Sequence, residues 1–307
     1  MRIDKNHVIE AFKKYTDSYN SQDPKILLKI RHTYRVAGLC ERIARFAAGL
    51  DCTAGRENEN IAETSTGTTT ETSVETSTET SAEISVETST ETSADPETVI
   101  DPDFAWLCGM LHDIGRFEQV RRYGTFSDAL SVDHAQLGAD LLFNENLLET
   151  FVPLPQQCMS AEELAILELS IRSHSLFRIP EGLTQKEQAY CNILRDADKV
   201  DIFRVNCDTP PEDIYNVTTD GLRNSEVSPA VKQCFLNKTA VLRSLKKTPV
   251  DFLAGHICLY FELVYDISRQ ITWQQGYLQK MLDFDSENAE TREWFSYMKA
   301  HIRESEN

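Results

Sequence analysis

Apolar residues recur at steps of three and four along much of the chain, which is the spacing of one buried face of an α-helix. The first clear stripe follows Asp23-Pro24, a pair typical of a helix start. It consists of Val36, Leu39, Ile43, Ala47 and Leu50. His32 lies four residues before Val36 and therefore on the same face. The pattern predicts a helix that carries a histidine among its buried positions.

Four further segments repeat this period, and each brings a histidine or a carboxylate to its apolar face or beside it. The positions on these faces are, in turn, Phe104, Leu107 and Leu111; Leu137, Gly138 and Leu141; Leu164, Leu167 and Ile171; and Leu194, Val205 and either Asp201 or Ile202. The polar residues that accompany them are His112, His134, His174 and Asp198. Because helical periods dominate, we predict an all-α fold.

An acidic, low-complexity stretch interrupts the helical pattern between Glu57 and Glu97. From Glu71 it repeats the units ETSV, ETST, ETSA, EISV, ETST and ETSA. In a helix these glutamates would repel one another, and the stretch has little apolar area to offset the entropy of ordering. We therefore predict a disordered insert over residues 56–97, for which a chemically modified tether is the alternative role. It divides a helical core of residues 1–55 and 98–210, and C-terminal helices over 211–307 are expected to pack on that core.

The formal net charge of −18 largely reflects this insert. Eleven acidic residues and no Lys or Arg lie between Glu57 and Glu97, which leaves 38 acidic against 31 basic residues elsewhere. Such a balance lacks the basic footprint of a nucleic-acid binder. Eight cysteines without a CxxC pair indicate free thiols, and no uncharged apolar run approaches the ~20 residues that span a bilayer. We expect a cytoplasmic protein with no nucleic-acid or membrane partner.

Four of the seven histidines thus fall on or beside apolar helix faces. A single such histidine is usually a core residue with a hydrogen-bond partner. Four together, with nearby carboxylates, indicate a metal site, because helix bundles bind metals through side chains that project into the core from facing helices. Ligands without thiolate suit Mn, Fe, Zn or a similar divalent ion. His256, in the apolar run DFLAGHICLYFELVYDI, is interpreted as a core residue, and His7 and His301 have polar neighbours.

Three stretches resemble the HD-domain superfamily of metal-dependent phosphohydrolases. They are HTYRVAGLCERIA from His32, LCGMLHDIGRFEQ from Leu107 and LRDADKVDIF from Leu194. An isolated histidine, an apolar helix that ends in His-Asp and a distant helical aspartate occur in the family's order, and the resemblance spans residues 25–205 outside the insert. It implies an HD-domain helical bundle in which four residues hold a divalent metal ion: His32, His112, Asp113 and Asp198.

The resemblance also bears on the last ligand and on the number of ions. Helical periodicity lets either Asp196 or Asp198 face inward, but the family's ligand usually precedes a basic residue, which favours Asp198 before Lys199. His134 and His174 lie where two-metal members, such as cyclic-nucleotide phosphodiesterases, HD-GYP proteins and symmetrical dinucleoside-tetraphosphate hydrolases, place two additional histidines. We therefore expect two divalent ions, among Mn, Fe, Mg, Zn, Co and Ni, with a single four-ligand ion as the alternative.

Two cations about 3.5–4 Å apart can share a water, lower its pKa and polarise the phosphoryl oxygen that the water attacks. Asp113 is the expected bridge, because a carboxylate offers two oxygens and a neutral imidazole only one free nitrogen. Gly115 is expected to ease a turn after the His-Asp pair. We expect Arg116 and Lys199 to act in catalysis and, together with Arg35, to contact the substrate phosphate.

These features predict an enzyme that hydrolyses a phosphoester or phosphoanhydride bond of a nucleotide or similar small phosphorylated substrate. A cyclic-nucleotide or dinucleotide phosphodiesterase is an alternative, although no GYP motif follows His-Asp to indicate cyclic di-GMP. An alternative without enzymatic activity is a module that senses a metal or a nucleotide. The intact set of predicted ligands favours the enzyme over this alternative. The helices after Pro210-Pro211 either complete the bundle, form a homo-oligomer surface or shape a specificity pocket, and the sequence leaves these roles open.

Overall fold

The computed structural model describes residues 3–20, 22–50, 99–215 and 217–306. These residues form helices and no β-strand, so the predicted all-α class is confirmed. The insert predicted over residues 56–97 lies outside the described residues. Within the described ranges, no helix has both the length and the apolar character needed to span a membrane. The cysteines in these ranges are free thiols.

The helices of the described residues fall into two groups along the chain. Those before residue 174 are α1 (Lys5–Thr16), α2 (Pro24–Ala47), α3 (Pro102–Leu111), α4 (Ile114–Tyr123), α5 (His134–Ala139), α6 (Leu148–Phe151), α7 (Pro155–Cys158) and α8 (Ala161–Ser173). Those after it are α9 (Gln185–Asp208), α10 (Pro211–Tyr215), α11 (Thr219–Asn224), α12 (Pro229–Leu236), α13 (Pro249–Ile257), α14 (Asp266–Gln275), α15 (Tyr277–Leu282) and α16 (Ala289–His301). Short 3₁₀ turns and one π-turn, Asp140–Asn144, join them.

Aspartate side chains cap the two helices that carry the first site residues. Asp23 accepts a hydrogen bond from the backbone N–H of Lys25, and Asp101 accepts from the N–H groups of Asp103 and Phe104. In each case a proline occupies the first helical position, where its missing N–H costs nothing. These caps fix the register at which α2 and α3 begin.

The apolar stripe predicted for α2 is buried at Val36, Leu39 and Ile43. The prediction is wrong at its far end, where Ala47 and Leu50 are exposed. The helix ends at Ala47, so Leu50 lies beyond it and no longer follows the helical period. The buried part of the stripe therefore runs from His32 to Ile43.

Helix α9 is the element around which the others pack. It contacts α2, α3 and α8 from the first group and α13, α14 and α15 from the second. Buried residues, both apolar and charged, occur around its whole circumference, so the helix is covered on all sides. They include Tyr190, Ile193, Leu194, Val200 and Phe203. Because it is enclosed in this way, α9 can carry charged residues such as Asp198 into the centre of the protein.

Two glycines allow neighbouring helices to approach closely. A Cβ atom at residue 109 would lie 2.6 Å from the Ala37 Cα, so only glycine lets α3 pack on α2 at this point. A Cβ atom at residue 115 would lie 2.6 Å from the Gly138 backbone nitrogen. Gly115 is therefore a helical residue at the contact of α4 with α5, and its predicted role in a turn is wrong. The chain turns two residues earlier, at Asp113, whose φ of −105° and ψ of 16° lie outside the helical range.

We predict that Gly109→Ala lowers the free energy of unfolding by about 3 kcal/mol, because the added methyl group overlaps backbone atoms that cannot move independently. Gly124→Ala is the matched control: residue 124 has a φ of +66° and nothing within 4 Å of its missing Cβ. This control should cost only about 1 kcal/mol, from backbone strain alone. Urea titration monitored by circular dichroism measures both values. Equal costs for the two variants would contradict the close contact of α2 with α3.

Candidate metal centre

The six predicted ligands converge on one buried point. Four of them sit at or beside helix ends or helix starts, where side chains can leave the helix surface and turn inward, and the other two lie in the middle of long helices. Helix α2 supplies the first, the junction of α3 and α4 supplies two, the start of α5 and the end of α8 supply one each, and α9 supplies the last. In that order they are His32, His112, Asp113, His134, His174 and Asp198.

Asp113 lies between two pairs of imidazoles, and each of its oxygens faces one pair. Its Oδ2 atom is 3.6 Å from the Nε2 of His32 and 3.5 Å from the Nε2 of His112. Its Oδ1 atom is 3.4 Å from the Nε2 of His134 and 3.8 Å from the Nε2 of His174. The carboxylate is only 2% exposed. It is therefore the one group common to both halves of the cluster.

Within each half, the ligand atoms are spaced as neighbours around one ion. The Nε2 atoms of His32 and His112 are 3.3 Å apart, and those of His134 and His174 are 3.1 Å apart. Asp198 Oδ1 lies 3.1 Å from the Nε2 of His32. Ligands about 2.0–2.1 Å from a shared ion lie about 3.0–3.4 Å from one another. The His/Asp groups can thus hold a divalent metal ion.

The outer nitrogen of each imidazole is held by an oxygen atom. An Nδ1–H that donates to such an acceptor fixes the tautomer and leaves the Nε2 lone pair directed at the centre of the cluster. The acceptors are the Gly109 carbonyl for His112 (2.7 Å), the Ile171 carbonyl for His174 (2.7 Å), Asp201 for His32 (2.7 Å) and Asp128 for His134 (2.9 Å). All four imidazoles are therefore oriented as metal ligands.

Burial and nearby charge favour the protonation states that metal ligands require. Burial lowers the pKa of the His112 imidazole to about 3 and that of His134 to about 4. Burial raises the pKa of the Asp113 carboxyl, but the Lys29 ammonium and His112 lower it by more, to well below its usual range. At neutral pH the two imidazoles are neutral and Asp113 is ionised, as metal binding needs.

His32 has a stronger anchor than the other histidines. Its pKa is lowered by burial but raised by more through its hydrogen bonds with Asp198 and Asp201. Asp201 is fully buried and also receives two bonds of 2.8 Å from Arg204 and one of 2.8 Å from the Nε of Arg35. Arg35 thus lies behind His32 and supports it, whereas the sequence predicted a phosphate contact. Asp201 was visible in the sequence only as a helical position three residues after Asp198.

A cavity of about 320 Å³ opens onto the cluster, and we call it the metal cavity. Its walls include Asp113, His134, His174 and Asp198, and four cations: Lys29, Arg116, Arg195 and Lys199. Of these cations the sequence predicted Arg116 and Lys199 and missed the other two. Lys29 Nζ lies 2.6 Å from Asp113 Oδ2, and its position one turn before His32 was the available signal. The carboxylates of Asp128 and Glu262 also line this cavity, so the four cations face the cluster together with these acids.

Arg116 ties the loop before α5 to helix α4. Its Nη1 donates to Gln119 Oε1 (2.6 Å), to the Phe126 carbonyl (2.7 Å) and to Asp128 Oδ1 (2.8 Å). Its Nε lies 3.7 Å from Asp113 Oδ1 and has no hydrogen-bond partner among the described residues. The same loop carries the carboxylate that holds His134. Arg116 therefore positions the second half of the cluster and keeps its charge beside Asp113.

Asp198, and not Asp196, faces the cluster. The Asp196 carboxylate is fully buried on another side of α9, where it accepts hydrogen bonds from the backbone N–H groups of Val264 (3.0 Å) and Tyr265 (2.9 Å). His256 also lies apart from the cluster, with its Nδ1 2.9 Å from the side-chain oxygen of Asn206. Asp196 and His256 belong to the packing of the C-terminal helices.

Two matched variants separate these carboxylates. Asp198→Asn should lower the affinity for a divalent ion by at least about tenfold, because an amide carries no charge to offset that of the ion. Asp196→Asn should leave metal affinity unchanged and lower the free energy of unfolding by about 1–3 kcal/mol, because one amide group would then face backbone donors. Metal titration by calorimetry and urea titration measure the two effects. If the Asp196 variant lost metal affinity instead, Asp196 would be the metal ligand and the assignment to Asp198 would be wrong.

No protein-family model, no curated protein and no solved structure matches the chain. The chemistry open to this site therefore follows from the contacts of its own side chains. Those contacts form a buried His/Asp cluster that can hold a divalent metal ion beneath a cavity lined by cations.

Proposed function

We propose that this protein is a metal-dependent phosphohydrolase of the HD type, acting on a small phosphorylated substrate. The observation that carries the proposal is the position of Asp113, whose two oxygens face different imidazole pairs in one buried cluster. A site that bound one structural ion would need only one of these pairs. Two halves joined by a carboxylate, beneath an open cavity, are typical of centres that use two ions on a phosphoryl group.

The donor atoms fit two divalent ions. His32, His112 and Asp198 would hold the first with one oxygen of Asp113, and His134 and His174 would hold the second with the other oxygen. Nitrogen and carboxylate donors without thiolate suit Mn, Fe, Zn or a similar ion. Divalent ions at these positions would polarise a phosphoryl oxygen and make a water molecule more acidic.

The protein's own cations complete the site. Lys29 and Arg116 lie at the metal cavity on the two sides of Asp113, one near each of its oxygens. Both are fixed before a substrate arrives, Lys29 by its ion pair and Arg116 by its three acceptors. Positive groups held in place near developing negative charge stabilise a phosphoryl transition state without rearrangement. Their role in the reaction is to bind and orient the phosphoryl oxygens.

The apolar part of the metal cavity's lining suits the organic part of an ester. It includes the apolar side chains Leu176, Ile202, Val241 and Leu259. A volume of about 320 Å³ is that of a site for a small molecule. A nucleotide or a similar phosphorylated compound fits this combination of a charged end and an apolar wall. A cyclic-nucleotide or dinucleotide phosphodiester is the other substrate type that the activity test must include.

The proposal predicts that protein supplied with Mn²⁺ hydrolyses para-nitrophenyl phosphate, bis(para-nitrophenyl) phosphate or members of a panel of nucleotides and cyclic nucleotides. Asp113→Asn should reduce kcat/KM for any such substrate by at least about 10³-fold, because it weakens both halves of the cluster together. Colorimetric release of nitrophenol and inorganic phosphate measures this.

The control is His7→Gln, which alters a histidine whose imidazole has one hydrogen-bond partner among the described residues, the Thr150 carbonyl 3.3 Å away. This variant should retain wild-type activity. Metal binding without turnover of any of these compounds would contradict the enzyme and favour a non-catalytic sensing module. Equal activity of wild-type protein and the Asp113 variant would show that any hydrolysis arises elsewhere.

A further inference from the structure

A second cavity, of about 260 Å³, adjoins the metal cavity, and we call it the side cavity. The two share a wall made by Arg195, Lys199 and Glu262. Beyond that wall, the polar lining of the side cavity comes from Arg178, Asn192 and Asp196. A molecule bound in the metal cavity could therefore extend past Lys199 into a second polar chamber.

Lys199 is the unusual residue of the shared wall. Its side chain is only 7% exposed, yet its ammonium group makes no hydrogen bond and no ion pair with any residue that the structure describes. Burying a charge without a partner is costly, and natural proteins usually compensate such groups. Because Lys199 borders both cavities, a negatively charged ligand group in either one would be its partner.

The acidic groups of the side cavity are already engaged. Asp196 accepts hydrogen bonds from the backbone of residues 264–265, and Glu262 lies 3.3 Å from the Nη1 of Arg178. Arg195 donates to the backbone carbonyls of residues 173, 174, 176 and 177, which are neutral groups, and it forms no ion pair with an acid among the described residues. Both cations of the shared wall therefore keep a positive charge that no nearby acid neutralises by direct contact.

Arg178 extends this positive charge to the mouth of the side cavity. Its side chain is 64% exposed, and its contacts with Glu262, at 3.3 and 3.4 Å, are long for an ion pair. An exposed pair of this kind contributes little stability, and it engages only Nη1, so the other N–H groups of Arg178 can contact a ligand while Glu262 keeps its partner. Asn192 adds an amide group to the same chamber. The side cavity thus combines a buried cation without a partner and an exposed cation that can turn inward.

We propose that the side cavity is an anion subsite, which binds a second acidic group of the substrate, a phosphate or a carboxylate. Lys199 contacts this group from the shared wall, and Arg178 and Asn192 contact it from the outer side. The subsite rests on the proposed function for the first phosphate, which lies in the metal cavity. It narrows the substrate class to phosphorylated compounds that carry a second negative charge.

Direct binding tests the subsite on full-length protein supplied with Mn²⁺. Calorimetry compares an α,ω-alkanediol bisphosphate, the matching carboxyalkyl phosphate and the matching hydroxyalkyl phosphate, each in several chain lengths. The hydroxyalkyl compound has one phosphate and no second charge. We expect the best bisphosphate or carboxyalkyl phosphate to bind about 10- to 100-fold more tightly than its hydroxyalkyl counterpart, because a charged group gains a charge-assisted hydrogen bond. The stronger of the two identifies the second group.

Variants connect this preference to the side cavity. Lys199→Met should reduce the affinity ratio to below about threefold, and Lys199→Arg should retain most of it, because it keeps the charge. Arg178→Gln, a change at an exposed side chain that the fold does not need, should reduce the ratio several-fold. The matched control is Lys186→Met, which alters a lysine of the same helix that pairs with Glu162 outside both cavities. It should leave the ratio unchanged.

Equal affinities for charged and uncharged compounds, or no binding of either, would overturn the subsite. So would a preference that survives in both Lys199→Met and Arg178→Gln. Turnover of para-nitrophenyl phosphate, measured in parallel, separates this result from the proposed function. Turnover without a preference for the compounds with a second charge would contradict only the subsite. A preference that depends on Lys199, without turnover of any phosphoester, would contradict only the hydrolase.

Discussion

The structure depends on one buried carboxylate placed between two pairs of imidazoles. Asp113 is 2% exposed and ionised, a state that an apolar interior would not tolerate without compensation. Lys29 provides that compensation at 2.6 Å, and the four Nε2 atoms within 3.8 Å are arranged around the same two oxygens. Helices α3, α4, α5 and α8 end or begin near this carboxylate, whereas α2 and α9 run past it, and the chain breaks at residue 113 between α3 and α4.

A second set of residues holds the first in place. Every imidazole has an acceptor at its outer nitrogen, and two of those acceptors, Asp128 and Asp201, are themselves held by arginines. Arg195 holds the chain after α8 in place by donating hydrogen bonds to its backbone carbonyl groups, among them that of His174. Hydrogen bonds within the protein therefore hold each imidazole in its position. Such preorganisation is what a catalytic centre requires, because loosely held ligands lose both affinity and rate.

Sequence patterns were sufficient for the fold class and for the set of converging ligands. The helical period placed His32, His134 and His174 on inward faces, and the resemblance to HD domains selected Asp198 over Asp196, which the geometry supports. Tertiary partners were beyond the reach of such patterns. Periodicity shows that a position is buried but not which distant group it contacts. Lys29 and Arg195 were therefore missed, and Arg35 was predicted to contact the substrate phosphate. The predicted role of Gly115 in a turn was wrong for the same reason, because a glycine is required there by the close approach of the α5 backbone.

The side cavity illustrates the same limit, because its walls come from residues 178–199 and 261–264, which no local pattern connects.

The central claim, that Asp113 joins two metal positions, has a direct test in a crystal structure of metal-loaded protein with anomalous scattering data. We predict two ions about 3.5–4 Å apart, each bound by a different oxygen of Asp113 and by its own pair of imidazoles. One ion bound by His32, His112, Asp113 and Asp198, with His134 and His174 turned away from it, would contradict the account.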